Sequence, residues 1–411
     1  TGVITAGTLT GNCGSTATLT LANALTNLGA FATSGNFSLT DAGGLGLTGN
    51  LTTGTGSVII TTTGPLAVGA AVTANGTGIV TLESSSIDIT ATITANGGIN
   101  LLPNTDGVGI ALNDDVVPGA FSLSTAELVL LASTGTVTIG RTSGAGAVNA
   151  YSIGSLGSIN LSGESFDLTL LGATSAVNFN FGADSPNTMT LPSDSTLTIT
   201  TGGAVTTNAS GTTVDITIAG ASMLDIVNAT AIGSAVNPLA IMAATLRAPV
   251  SAGSLYIDAT GALALGDGTR AVSATEGLVS VVSTGAVTMG ATITTTDGSD
   301  PQPVTISGSS IAISQNVIAA NNGTISLTGS GAITRSAGVL NSPAGIVALS
   351  AGTDIGAELV ADGDVDASWI YTNSAVLRAS ATSGSLFVYD ASGLQLGDAS
   401  GNVTAGGSLN V

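Results

Sequence analysis

The chain has no lysine and no histidine, and its only cations are Arg141, Arg247, Arg270, Arg335 and Arg378. That removes the imidazole base, the Schiff-base amine and the phosphate-loop lysine from its chemistry. Charged residues make up 7% of 411 positions, and 25 acidic groups against 5 basic ones leave a net charge of -20, which argues against nucleic acid as a partner. A single cysteine, Cys13, excludes an internal disulfide framework. Aromatics are 3% of residues, and no apolar run approaches the roughly 18 residues of a membrane-spanning helix. Thr1 opens the chain without an initiating Met, a basic segment or an apolar leader. A secretion signal is therefore expected to have been removed or to lie outside this chain.

What the sequence has instead is small residues, 58 of them glycine, threaded by Val, Ile and Leu at regular spacing. Val58 and Ile60, Gly64, Leu66 and Val68, then Val72 set the pattern. Val279, Val281, Gly285, Val287, Met289 and Ile293 repeat it in the same register. Further copies are Leu255, Ile257, Gly261, Leu263 and Leu265; Val129, Leu131, Gly135, Val137 and Ile139; Ile325, Leu327, Gly331, Ile333 and Val339; and Leu386, Val388, Leu394 and Leu396. A variant with a shorter gap runs Val80, Leu82, Ile87, Ile89 and Ile93, and again Val304, Ile306, Ile311, Ile313 and Val317.

Alternation at period two marks strands, each about three to five residues long before a Gly, Ser, Asn or Asp turn. A repeat of this length cannot bury its apolar side alone, so copies must stack. The expectation is an all-β fold: a right-handed parallel β-helix (β-solenoid) of about 20 coils of about 21–22 residues, with nearly no helix. Residues 1–411 read as one continuous solenoid, with less regular coils or outward loops near 1–55, 100–125, 173–195 and 228–250. In the last three of these, Pro103, Pro118, Pro186, Pro192, Pro238 and Pro249 interrupt the alternation. The ends read as uncapped repeat, so the expected partners are copies of the chain stacked end to end, or the rest of a longer solenoid.

The segments GLVSVVSTGAVTMGATITT and NGTISLTGSGAITRSAGVL carry a style of repeat that resembles the repeat region of filamentous-haemagglutinin-like adhesins, the exoproteins of two-partner secretion in Gram-negative bacteria. The resemblance covers most of the chain. It implies a secreted bacterial surface fibre, located outside the cell, with a glycan or host-surface receptor as a further partner. The Asn-Pro-Asn type signature of that family's secretion domain is missing, its nearest match being Asn237-Pro238-Leu239, so the chain reads as shaft rather than secretion domain, or as belonging to a different surface-fibre family.

Site candidates are few. Asp362, Asp364 and Asp366 alternate along an extended stretch, as a calcium ligand set would, although the plainer reading is a solvated acidic turn. No other cofactor is expected. Asp297, Asp300 and the pair Asp114-Asp115 carry less of this signal. Gly44 to Gly49 matches a dinucleotide fingerprint by composition alone, since no helical pattern follows. Thr-x-Thr steps at Thr92, Thr136, Thr196 and Thr292 offer an ice-binding face only if they rank on consecutive coils. Threonine otherwise suits strands and keeps a neutral surface wet. Trp369 and Tyr371 are read as filling a wide coil or covering a loop, with a ligand contact as the other reading. Cys13 is read as a small buried thiol, with a link between two chains as the other reading. Pectin-degrading enzymes share the β-helix fold and need clustered carboxylates with Arg, Lys or His on one face, whereas the cations here are five arginines scattered along the sequence; fold alone does not confer chemistry, so no enzyme is expected. The reading is an extracellular structural protein, with a glycan- or ice-binding solenoid as the alternative and a carbohydrate-active enzyme third.

Overall fold

The computed structural model describes residues 2–105, 107–114, 121–141, 150–172, 176–181, 187–208, 213–296, 300–357, 368–390 and 393–411. Apart from one helical turn, Thr125–Leu128, the regular elements among the described residues are strands paired in parallel, mostly short, with Ala17–Thr33, Leu340–Ala351 and Ile370–Ala381 the long exceptions. The fold is a β-solenoid, and its strands group into two compact units, Thr1–Gly203 and Ala204–Val411.

In the first unit the template coil makes three strands, Val58–Thr62, Leu66–Val68 and Val72–Ala74. Val58, Ile60, Leu66, Val68 and Val72 all point inward and are buried, as the alternation requires. Parallel in-register pairing then stacks like on like. Phe37, Val58, Val80, Ile99, Val137, Leu168 and Leu197 form one inward column, each fully buried. Leu39, Ile60, Leu82, Leu101, Ile139, Leu170 and Ile199 form the next. With turns about 4.8 Å apart, each inward side chain is enclosed above and below by its counterparts. Burial of each such aliphatic group contributes about 1.5–3 kcal/mol, which offsets the ordering of a chain rich in glycine.

The second unit repeats the arrangement. Leu255, Val279, Val304, Ile325, Val347 and Leu377 form a fully buried column, flanked by Ile257, Val281, Ile306, Leu327, Leu349 and Ala379.

The coils are longer than the sequence pattern indicates. Successive members of the first column stand 21, 22, 19, 38, 31 and 29 residues apart, and of the second-unit column 24, 25, 21, 22 and 30. The two units together hold about 16 turns rather than about 20. A stacked coil tolerates insertions between strands because the inward pairs still meet their neighbours.

Two copies of the repeat are displaced by local chemistry. Ser124 caps the turn Thr125–Leu128 through a capping box with Glu127, so Leu128 enters the core and Val129 becomes a 41% exposed C-cap. After Ile333 it is Leu340, not Val339, that points inward. Leu396, also read as a core position, is exposed. The segments near 100–125, 173–195 and 228–250 keep strands: 228–250 carries Ala231–Ile232, Leu239–Met242 and Thr245–Val250, and both Pro103 and Pro249 lie within strands. Cys13 ends the strand Thr5–Cys13 half-buried rather than buried, its thiol directed at the Thr16 carbonyl 3.6 Å away.

Candidate functional site

Asp362, Asp364 and Asp366, the calcium candidates, lie outside the described residues, as do Asp297 and Asp115. Asp300 is exposed. Asp114 is buried, and its carboxylate accepts from Ser152 Oγ at 2.8 Å and from the Ser155 amide at 3.2 Å, which ties one coil to the next. Among the described residues no group of three His, Cys, Asp or Glu side chains is placed to hold a metal ion.

The arginines are where charge gathers, and each is committed to a neighbour. Arg141 pairs with Glu83 at 2.9 Å. Arg378 forks onto Asp398, its Nε donating to Oδ1 at 2.8 Å and its Nη2 to Oδ2. Arg335 stacks its guanidinium 3.7 Å from the Tyr371 ring and donates from Nε to the Gly338 carbonyl at 2.6 Å. Asp225, Arg247, Asp267 and Arg270 form a network: Arg270 reaches Asp225 at 2.7 Å, while Arg247 bridges Asp225 at 3.6 Å and Asp267. Asp225 and Arg247 are direct partners in a parallel ladder, so the network spans successive coils. The Arg247 hydrogen bond holds the Asp267 carboxyl well below the usual carboxylate range.

Asp225 has only 7% of its side chain exposed, so it relies on both arginines. Arg247→Met is expected to destabilise the 204–411 unit by about 2–4 kcal/mol, below the full cost of orphaning a buried charge because Arg270 remains. Urea unfolding of the variant at low and high salt checks this. The loss should persist in high salt, since a desolvated pair is weakly screened.

Among the described residues Asp215 is the carboxyl that burial raises most. It accepts from Thr207 Oγ1 at 2.7 Å and from the Ala240 amide at 2.9 Å, and burial pushes its pKa up to about 6. The native state therefore favours the neutral acid. That preference stabilises the fold fully below the ordinary pKa of 3.8 and is lost as pH rises through about 6. The difference corresponds to about 3 kcal/mol once titration is complete. Asp215→Asn is expected to remove this part of the pH dependence and to be the more stable protein above neutrality, as measured by thermal unfolding across the same pH series. Equal pH slopes in the two proteins would count against it.

Concave surfaces are shallow. A groove of about 420 Å³ runs along Ser326, Thr328, Ser350, Arg378, Ser380 and Thr404. A second, of about 320 Å³, brings Glu164, Asp167 and Asp194 together, and burial raises the Glu164 carboxyl. The Thr-x-Thr steps do not rank on consecutive coils. Between Thr136-Val137-Thr138 and Thr196-Leu197-Thr198 the ladder inserts Asp167-Leu168-Thr169, and Thr94 continues a single file with Thr73 and Thr52. Trp369 is buried against Phe387 at 5.6 Å, as a coil-filling aromatic would be. Tyr371 is half-buried and packs on Tyr389 at 5.3 Å. Tyr151 fills the core and its hydroxyl lies 2.7 Å and 2.8 Å from the Ile139 and Leu171 carbonyls, while burial pushes the phenol well above its ordinary pKa.

These features define a β-solenoid repeat protein whose polar groups chiefly join neighbouring turns. No family model, curated protein or solved structure matches the chain.

Proposed function

We propose that this chain is an extracellular structural protein, the shaft or a subunit of a bacterial surface fibre of the filamentous-haemagglutinin-like kind, working mechanically rather than catalytically. The observation that carries the reading is the use made of the five cations: four sit in ion pairs with acids, and Arg335 lies on Tyr371. Side chains spent on joining turns serve a scaffold. The neutral outer faces, such as the file Ser307, Thr328, Ser350, Ser380 and Thr404, keep such a surface wet. Partners in this reading are further coils, from copies of the chain or from a longer solenoid, together with a host-surface receptor.

Immunogold labelling of the cells that produce the protein tests the proposal. Gold on filaments outside the cell is the expected result, and label confined to the cytoplasm would overturn it. The hydroxyl file beside the 420 Å³ groove also supports a second reading, a glycan- or ice-binding module. Retention on a glycan array or inhibition of ice growth, without filaments, would favour that one.

A further inference from the structure

The sequence places Asn-Gly at three corners, Asn75-Gly76, Asn96-Gly97 and Asn322-Gly323, and the structure treats the three differently. At two of them the glycine nitrogen is held. Gly97 N donates to the Gly78 carbonyl at 3.1 Å and Gly323 N to the Ala320 carbonyl at 2.9 Å. Both glycines are also wedged on the preceding coil, where a Cβ would stand 2.2 Å from the Thr77 or Gln302 carbonyl oxygen. Gly76 has neither restraint. Its φ is +65°, nothing lies within 4 Å of where a Cβ would be, and among the described residues its N–H has no hydrogen-bond partner. Both Asn75 and Gly76 are exposed, so solvent base reaches the amide. The Asn75 carboxamide is tethered through Nδ2 to the Thr53 carbonyl at 2.7 Å, a bond that holds the departing nitrogen and not the nucleophile.

We infer that Asn75-Gly76 is a spontaneous modification site, at which the asparagine converts through a succinimide to aspartate and isoaspartate ahead of the other two Asn-Gly steps. The Gly76 nitrogen gives its proton to solvent base and bonds to Asn75 Cγ. The Cγ–Nδ2 bond breaks and Nδ2 leaves as ammonia after taking up a proton. Water then opens the five-membered imide at either carbonyl. No oxidant or reductant enters. The product carries one more negative charge and can no longer donate to Thr53, so the corner that follows Val72–Ala74 loses a tie to the strand Leu51–Thr53. A tied nucleophile must first release its hydrogen bond, which corresponds to roughly a fivefold penalty in reactive population. Packing against the coil below adds to it.

Incubating the intact protein in mildly alkaline buffer and mapping its peptides by mass spectrometry, with isoaspartate detection, tests this, because the two held steps are controls within the same molecule. Asn75 is expected to convert about fivefold or more faster than Asn96 and Asn322. Gly76→Ala, which has room for its methyl group, is expected to suppress conversion at Asn75 and leave the other two unchanged. Equal rates at all three steps, or earlier conversion at Asn96 or Asn322, would overturn the inference.

Discussion

Leu327→Asp is expected to unfold the 204–411 unit at neutral pH, whereas Thr328→Asp, one residue along, should change its stability by no more than about 0.5 kcal/mol. Leu327 is fully buried between Ile306 and Leu349 in the inward column, while Thr328 points outward and is exposed. An aspartate at 327 would meet only aliphatic neighbours above and below. Removing the leucine side chain alone costs about 2–5 kcal/mol, and an unpaired charge in its place adds several more. The variant has a sign of its own in pH. Burial would raise the new carboxyl's pKa, so the native state would bind the proton more tightly, and folding should return in part as pH falls below that value. Circular dichroism and urea unfolding of both variants at neutral and acid pH measure all of this. Equal effects at 327 and 328 would mean that the alternation does not separate core from surface.

Gly285→Ala carries the second large effect, through space rather than through water. A Cβ on Gly285 would sit 2.3 Å from the Gly261 carbonyl carbon and 2.4 Å from the Ala262 nitrogen, both backbone atoms of the preceding coil. Neither can swing aside as a side-chain tip would. The corner must open against ladders on both flanks, Val279–Ser283 on one and Val287–Met289 on the other. A cost of about 3–5 kcal/mol is expected, at the upper end of what overpacking produces. Gly76→Ala is the comparison. Its corner has open space around it and only the positive φ to resist the methyl group, which is worth about 1–2 kcal/mol. Thermal unfolding of the two variants should rank them clearly. The comparison also explains part of the glycine content, since at such corners backbone lies on backbone and no larger residue fits.

Much of the fold is legible in the sequence because period-two alternation states which side chains point inward. The pairs at Val58 and Ile60 and at Val279 and Val281 are core residues for that reason alone. Alternation does not state which winding a strand meets next. Ile99 pairs with Val137 across 38 residues; Pro103 and Pro118 mark an interruption between them but not its length, so coil number and length escape the pattern. Local chemistry also overrides it, as where the Ser124 and Glu127 capping box turns Val129 outward in favour of Leu128. That box is readable as Ser-x-x-Glu, four residues in a row, but the apolar spacing around it masks the signal. The polar links between coils are less legible still. Asp225 finds Arg270 across 45 residues, and Asp215 finds Ala240 across 25, through stacking that only the assembled solenoid supplies.

The central claim is that successive windings of the 204–411 unit stack in parallel register on one another. Pulsed electron spin resonance on a Cys13→Ser background tests it most directly, with one nitroxide at Val282 and the second at Ser350, Ser380 or Thr404. These positions lie in one outward file, three, four and five turns from Val282. The account predicts distances near 14, 19 and 24 Å, rising by about 4.8 Å for each turn. Distances that fail to rise with turn number would contradict it.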